Sequence, residues 1–227
     1  MRCIWCHNPE SWDSSPASAF LKEKCINCGE CNKGRECFAG ARVLAAREFT
    51  PLGLWKLIEG ELPYYKNSGG GITFSGGECM LQVDFLEAIC KICRQNGVHT
   101  AVDTAGHVPY EWLIRVSPDL FLYDIKADNK KTHKELTGVD GVLIWENLRR
   151  LVADGHNVQV RVPCVPGANW NELPGIARRL RELGVTNTEL MPYHKLGESK
   201  AASRGYKLHM FDVPRQQDMS DAMKLFN

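Results

Sequence analysis

Downstream of Thr50 the chain alternates between two hydrophobic periodicities. Short apolar runs predict strands at residues 72–74, 99–102, 120–125, 158–162 and 188–191. Apolar residues spaced three and four apart predict helices at the Thr50-Pro51 step, at residues 84–96, 110–116, 130–136, 143–153 and 173–183, and from Gln217 onwards. Strands that alternate with helices predict an α/β fold with a parallel sheet. The almost continuous apolar run at 120–125 predicts burial on both faces of that sheet.

Upstream of Thr50 neither periodicity is present, and cysteine dominates instead. Six of the ten cysteines lie within the first 37 residues, and the next is Cys79. Residues 13–20 are rich in Ser, Pro and Ala and are predicted to be irregular. Cys3 and Cys6 have the spacing of a thiolate metal site, but zinc, a redox dithiol or two unrelated thiols fit the same spacing.

The second cysteine group has three members at x-x spacing and a fourth further along: Cys25, Cys28, Cys31 and Cys37. This arrangement is typical of the iron–sulfur sites of bacterial ferredoxins, whereas a four-cysteine zinc site usually has two separate pairs. It therefore favours one auxiliary [4Fe-4S] cluster. The long gap before Cys37, with no Pro after it, leaves a degenerate insert without a cluster as the alternative.

Composition limits the classes of function. The chain has 227 residues and a formal net charge of +1, which gives no electrostatic basis for binding nucleic acid or an anionic membrane. No apolar window has the length of a spanning helix and no signal-peptide pattern is present, so we expect a cytoplasmic protein. In that compartment ten cysteines indicate metal binding more than disulfides.

Polar residues follow the predicted strands at their carboxyl ends, where parallel sheets place their sites. They are Ser75-Gly76-Gly77-Glu78, Asp103-Thr104, Asp124 with Lys126, Arg161, and the segment that ends at His194-Lys195. Asp124 and Lys126 lie on one side of their strand, although a solvated ion pair is the alternative interpretation. Arg161 interrupts an apolar strand and must be paired there, either with a protein carboxylate or with a ligand carboxylate.

These motifs occur together in one known family. The loop Cys-Ile-Trp-Cys-His-Asn-Pro, Ser-Gly-Gly-Glu, Asp-Thr-x-Gly, Tyr-Asp-Ile-Lys, Arg-Val-Pro-x-Val-Pro-Gly and Met-Pro-Tyr-His-Lys-Leu-Gly follow one another from residue 1 to about 206. Their order resembles that of the radical S-adenosylmethionine (SAM) enzymes that activate glycyl radical enzymes. The resemblance implies an incomplete (β/α) barrel with a small ferredoxin-like cysteine-rich insert. The implied boundaries are 1–24 for the remnant of the radical-cluster loop, 25–49 for the insert and 50–227 for the barrel.

The same resemblance implies roles for individual residues. Cys3 and Cys6 would bind the [4Fe-4S] cluster of the radical site. In the family the first of the three cluster cysteines lies four residues before the position of Cys3. We therefore expect a truncated chain or a miscalled start. Gly76, Gly77 and Glu78 would hold the amino group of SAM, and Asp103 and Thr104 would face its carboxylate end. Asp124, Lys126 and Arg161 would line the ligand, the first two as catalytic residues, with His194 near the adenine.

The implied activity is reductive cleavage of SAM to a 5′-deoxyadenosyl radical, which takes a hydrogen atom from a glycine of a partner glycyl radical enzyme. The implied electron donor is flavodoxin or a similar reductant. Two alternatives from other classes remain at this point: a ferredoxin-like electron carrier fused to an inert barrel, and a zinc-binding structural protein. Only the activase requires Glu78, Asp124, Lys126 and Arg161.

Overall fold

The computed structural model describes residues 1–12, 18–44, 47–197 and 209–226. The chain divides into two compact units, one of Met1–Glu48 with His194–Met210 and one of Phe49–Tyr193 with Phe211–Asn227. The boundaries predicted from the sequence for the loop, the insert and the barrel stay a prediction.

The first unit contains a short antiparallel hairpin. Strand β1 (Ser18–Phe20) pairs with β2 (Arg42–Leu44), and Phe20 lies opposite Arg42. The Arg42 guanidinium carbon lies 5.5 Å from the centroid of the Phe20 ring, a cation–π contact across the pair. The prediction of an irregular segment is therefore wrong at Ser18–Phe20, and residues 13–17 lie outside the described residues.

The second unit is an α/β sheet with helices. Its strands are β3 (Gly71–Phe74), β4 (His99–Thr104), β5 (Leu120–Asp124), β6 (Val158–Cys164) and β7 (Thr188–Pro192), all parallel and adjacent in chain order. Its helices are α1 (Pro51–Glu59), α2 (Leu62–Ser68), α3 (Val83–Gln95), α4 (Tyr110–Val116), α5 (Lys130–Thr137), α6 (Val142–Ala153), α7 (Leu173–Glu182) and α8 (Gln216–Phe226). The sheet is open, which confirms the predicted fold class.

Nearly every element of this unit follows from its pattern. Thr50 caps α1, because its hydroxyl oxygen accepts from the Gly53 N–H at 3.0 Å. Helix α2 was not predicted, because Leu62–Ser68 is short and two consecutive tyrosines interrupt any apolar periodicity. None of the helices in the described ranges is long and apolar enough to cross a bilayer.

The core lies between one face of the sheet and the amphipathic helices. Val102, Phe121, Tyr123 and Val160 on the strands are fully buried. In β5 the buried residues alternate with half-buried ones, so the predicted burial on both faces is wrong. The second face carries Asp103, Asp124 and Arg161 and is only partly covered. This arrangement places charged side chains on a rigid sheet.

Candidate functional site

Glu78 is held in the turn that follows β3. Gly76 enters this turn with φ of 146°, a conformation that favours glycine. The Glu78 carboxylate accepts hydrogen bonds from the Met80 N–H at 3.2 Å, the Thr104 hydroxyl at 2.7 Å and the Ala105 N–H at 3.0 Å. Burial nevertheless raises the pKa of Glu78 above its ordinary value, because the loss of hydration outweighs these hydrogen bonds and the charge of Lys126, which lower it. A cationic ligand group would relieve that cost.

A network of ion pairs joins three neighbouring strands beside this turn. Arg161 on β6 donates to Asp124 on β5 from Nε at 3.1 Å and from Nη2 at 2.9 Å, and its Nη2 also donates to Asp103 on β4. Lys126 Nζ donates to the second oxygen of Asp124 at 3.0 Å, and the Ser75 hydroxyl donates to Asp103 at 2.8 Å. The sequence left open whether Arg161 pairs with a protein carboxylate or with a ligand carboxylate. The structure shows two protein carboxylates, Asp103 and Asp124.

The two aspartates of the network are held in different electrostatic environments. Burial alone would raise the pKa of Asp124, but Lys126 and Arg161 hold it below the ordinary value. Burial raises the pKa of Asp103, and the neighbouring Asp124 charge adds to this effect. Asp103 is therefore the carboxylate of the pair that gains more from an additional cation.

The ionised groups of the site do not balance. Among the described residues of this network, three carboxylates (Glu78, Asp103 and Asp124) face two cations (Lys126 and Arg161), an excess of one negative charge when all five are ionised. SAM carries an ammonium, a sulfonium and a carboxylate and so has a net charge of about +1 at neutral pH. The donor set of the second unit therefore fits this molecule in sign and in magnitude.

The first unit contains the cysteine loop. The Cys6 N–H donates to the Cys3 carbonyl at 3.0 Å, which closes a turn between the two thiols. His194 also belongs to this unit, and its ring centroid lies 4.7 Å from that of His7. Within the described ranges no group of three or more His, Cys, Asp or Glu side chains is arranged as a metal site. The described residues therefore place no third ligand beside Cys3 and Cys6, whose role as cluster ligands stays a prediction.

Backbone N–H groups point at the thiols of the second cysteine group. The Asn27 N–H donates to Cys25 Sγ at 3.4 Å and the Ala41 N–H donates to Cys37 Sγ at 3.3 Å. The bond from Ala41 lowers the pKa of Cys37. Such N–H···S contacts favour thiolates, the form in which cysteine binds metal. The ligand role of this group stays a prediction.

Comparison with known proteins shows which family has these features. A family model described as the Radical SAM superfamily matches residues 1–180. The chain is 30% identical to the trans-4-hydroxy-L-proline dehydratase activating enzyme of Clostridioides difficile, over 100% of this chain and 87% of that protein. It is also 30% identical to the choline trimethylamine-lyase activating enzyme of Oleidesulfovibrio alaskensis, over 96% of this chain and 83% of that protein. The chain is an activating enzyme of the radical SAM superfamily.

A solved structure agrees with this assignment of the activase. A domain of a pyruvate-formate lyase-activating enzyme from Bacteroides vulgatus superposes with a TM-score of 0.58 at 27% identity, and the match covers 69% of this chain and 92% of that one. The predicted family, the enzyme class, the [4Fe-4S] cluster of the radical site and SAM are thereby confirmed, since they belong to this superfamily, and activating enzymes act on glycyl radical enzymes. The auxiliary cluster stays a prediction. The assignment of individual site residues stays a prediction.

Two residues that fix the loop of Lys126 were not found from the sequence. Asn169 is fully buried and donates to the carbonyl oxygens of Lys126 and Pro163, and Glu172 accepts from the backbone of the same loop that carries Lys126. No signal in the sequence separates Asn169 from the exposed Asn171 beside it.

Proposed function

We propose that this activase uses SAM to place a radical on a glycine of a partner glycyl radical enzyme. The observation that supports this most directly is the network of Glu78, Asp103, Asp124, Lys126 and Arg161, which has one more carboxylate than cations, in a member of the radical SAM superfamily. A ferredoxin-like electron carrier would need the cysteines but would gain nothing from the half-buried carboxylate of Glu78.

In this proposal the second unit binds the amino-acid part of SAM. Glu78 and the backbone of Gly76 and Gly77 bind the ammonium group. Burial disfavours the ionised form of Glu78, so a cation beside its carboxylate would stabilise it. Asp103 and Thr104 lie one strand further, where Thr104 already bonds to Glu78.

Four further residues complete the proposed ligand environment. Lys126 directs its ammonium group towards the ligand carboxylate, while Asp124 and Arg161 fix its position; Asp124 and Lys126 are the proposed catalytic pair. His194 is proposed to contact the adenine. These groups orient the cofactor and exclude water from it.

The metal ligands are proposed in two groups. Cys3 and Cys6 supply two thiolates to the radical cluster, and the second group, Cys25, Cys28, Cys31 and Cys37, binds an auxiliary cluster. When bound, the radical cluster supplies the electron that cleaves SAM to methionine and a 5′-deoxyadenosyl radical, which leaves as 5′-deoxyadenosine after taking hydrogen from glycine. A flavodoxin-like protein is the proposed source of that electron.

Binding of SAM tests the role of Glu78. Glu78→Ala should weaken binding by about 1.5–3 kcal/mol, the scale of a charge-assisted hydrogen bond, as measured by calorimetry on the reconstituted protein. Lys91→Ala, on the exposed face of α3, is the matched control and should bind SAM as the wild type does. Equal losses at both positions, or none at Glu78, would refute the proposed site.

A further inference from the structure

Asn169 joins the loops that follow β5 and β6. It lies in the turn after β6 with 0% of its surface exposed. Its Oδ1 accepts from the Val165 N–H at 2.9 Å, and its Nδ2 donates to the Pro163 carbonyl at 2.6 Å and to the Lys126 carbonyl at 2.9 Å. Both hydrogens and the oxygen of the side chain are therefore used, as a buried amide requires.

Glu172 holds the same loop at a second place. Its Oε2 accepts from the Asp128 N–H at 3.0 Å and from the Asn129 N–H at 2.7 Å. Asn129 in turn caps α5, since its Oδ1 accepts from the Lys131 N–H at 2.8 Å. The loop between β5 and α5 is thus fixed by side chains that come from the segment after β6.

These contacts fix the backbone position of Lys126. Lys126 is 7% exposed, and its ammonium group lies 3.0 Å from Asp124, which is also bonded to Arg161. A side chain of four methylenes can reach many positions, so its backbone must be fixed if its charge is to be presented at one place. Asn169 bonds to the carbonyl of this same residue.

We propose that Asn169 is a positioning residue of the SAM site, which acts by holding Lys126 at a fixed distance from the strand that carries Arg161. The inference rests on the proposed function, because the position of Lys126 affects ligand binding only if SAM binds at this site. An apolar residue could not replace Asn169 in this role, because only a group with two donors can bridge the Pro163 and Lys126 carbonyls.

The first test compares SAM binding in three proteins. Asn169→Ala should weaken binding by about tenfold, the effect of one or two lost hydrogen bonds on a preorganised site. Thr100→Val is the matched control: Thr100 is 1% exposed and bonds to Asp119 near the amino end of β4, at the opposite end of the strands from the site, so this variant loses stability without a change at the site. The control should keep the affinity of the wild type. An unchanged affinity in Asn169→Ala overturns the inference.

Hydrogen exchange gives a readout that needs no activity. The amides of Asp128 and Asn129 bond to Glu172 and not to Asn169. If Asn169 holds the whole loop, both amides exchange faster in Asn169→Ala, whereas the Thr100 amide near the amino end of β4 does not. Unchanged exchange at Asp128 and Asn129 counts against the inference.

A pH profile separates positioning from simple destabilisation. Asn169→Asp keeps the acceptor for Val165 but turns a carboxylate towards two carbonyl oxygens. Its SAM affinity, relative to the wild type, should be lowest at high pH and should rise as the pH falls, because the neutral acid regains one donor. A flat ratio across the pH range contradicts the proposed role.

Two further outcomes complete the design. Should neither Asn169 variant fold, Glu172→Gln weakens the second contact with the loop and should reduce SAM affinity in the same direction by a smaller factor, and no reduction overturns the inference. If the wild type itself fails to bind SAM, the proposed function fails. If the wild type binds SAM and Asn169→Ala binds it equally well, only the inference about Asn169 fails.

Discussion

Arg161 and Asp124 lie opposite each other in the register of β6 and β5, and the guanidinium donates to one carboxylate oxygen from two nitrogens, at 3.1 and 2.9 Å. The same guanidinium reaches Asp103 on β4, one strand beyond. One arginine therefore compensates two carboxylates on strands that are not its own.

Arg161→Ala should destabilise the fold by about 2–4 kcal/mol. Removal of one partner from a buried ion pair costs about 3–5 kcal/mol, and the partial exposure of these groups, 17% and 20%, reduces the expected value. Urea unfolding at neutral pH measures the difference.

Arg115→Ala is the control for Arg161→Ala. Arg115 pairs with Asp84 and Glu87 at the surface, where it is 42% exposed, and its loss should cost less than about 1 kcal/mol. Similar losses for the two variants would show that the Arg161 network contributes no more than a surface pair.

Stability should depend on pH through Glu78. Burial raises its folded pKa above 4.5, so protonation favours the folded state and the ionised form costs stability. The free energy of unfolding of the wild type, minus that of Glu78→Gln, should therefore increase as the pH falls from about 7 towards 4.5. Urea unfolding along a pH series measures it, with Glu59→Gln on the exposed face of α1 as the reference for loss of any surface carboxyl. A decrease on acidification would contradict the assignment.

Gly106→Ala should destabilise the protein by about 2–4 kcal/mol. Gly106 has φ of +67°, and an added Cβ would collide with the Tyr123 hydroxyl, which donates to the Ile144 carbonyl at 2.7 Å and cannot move freely. Gly184→Ala is the matched control, since Gly184 has φ of +74° with nothing within 4 Å of the added Cβ, and it should cost about 1 kcal/mol. Thermal unfolding compares them, and equal shifts would exclude the collision as the cause.

The second cysteine group should bind iron as a unit. After anaerobic reconstitution, replacement of Cys25, Cys28, Cys31 and Cys37 together by Ala should remove the iron and sulfide of one cluster. Replacement of Cys90 and Cys93, which are buried on α3, should leave both contents unchanged. Elemental analysis decides, and an iron content left unchanged by the fourfold replacement would mean that no auxiliary cluster is bound there.

Cys90 and Cys93 should resist alkylation in the folded protein. Burial raises the pKa of Cys90 to about 12 and that of Cys93 to about 11, and both have 0% exposure. Mass spectrometry after brief treatment with iodoacetamide should find the exposed Cys28 modified first. Early modification of Cys90 would show that α3 opens readily.

The sheet was predictable from the sequence because each of its strands, and every helix of this unit except α2, carries its own periodicity. Leu120–Asp124 and Tyr110–Val116 are recognised without any knowledge of their neighbours. The hairpin of Ser18–Phe20 and Arg42–Leu44 was not, because a three-residue strand has too few positions to show alternation.

The candidate site was likewise predictable from the sequence only in part. Residues next to a strand end, such as Glu78 and Lys126, follow from the rule that parallel sheets place polar groups there. The bond from Arg161 to Asp103 depends on sheet twist and side-chain length, and the choice of Asn169 over Asn171 depends on which one the turn buries. Such facts arise only when separate segments pack together.

The strands of the sheet stand in the order in which they occur in the chain, from β3 to β7. During synthesis on the ribosome, each strand from β4 to β7 can therefore pair with the strand made just before it. No later strand has to be inserted between two strands that have already paired. Pairing between consecutive strands keeps the closing loops short, which favours rapid assembly over nested arrangements. Helix α8 follows the sheet in sequence and packs against α7, where Arg181 donates to the Leu225 carbonyl at 2.9 Å. The direction of synthesis is thus also a direction in which this sheet can grow.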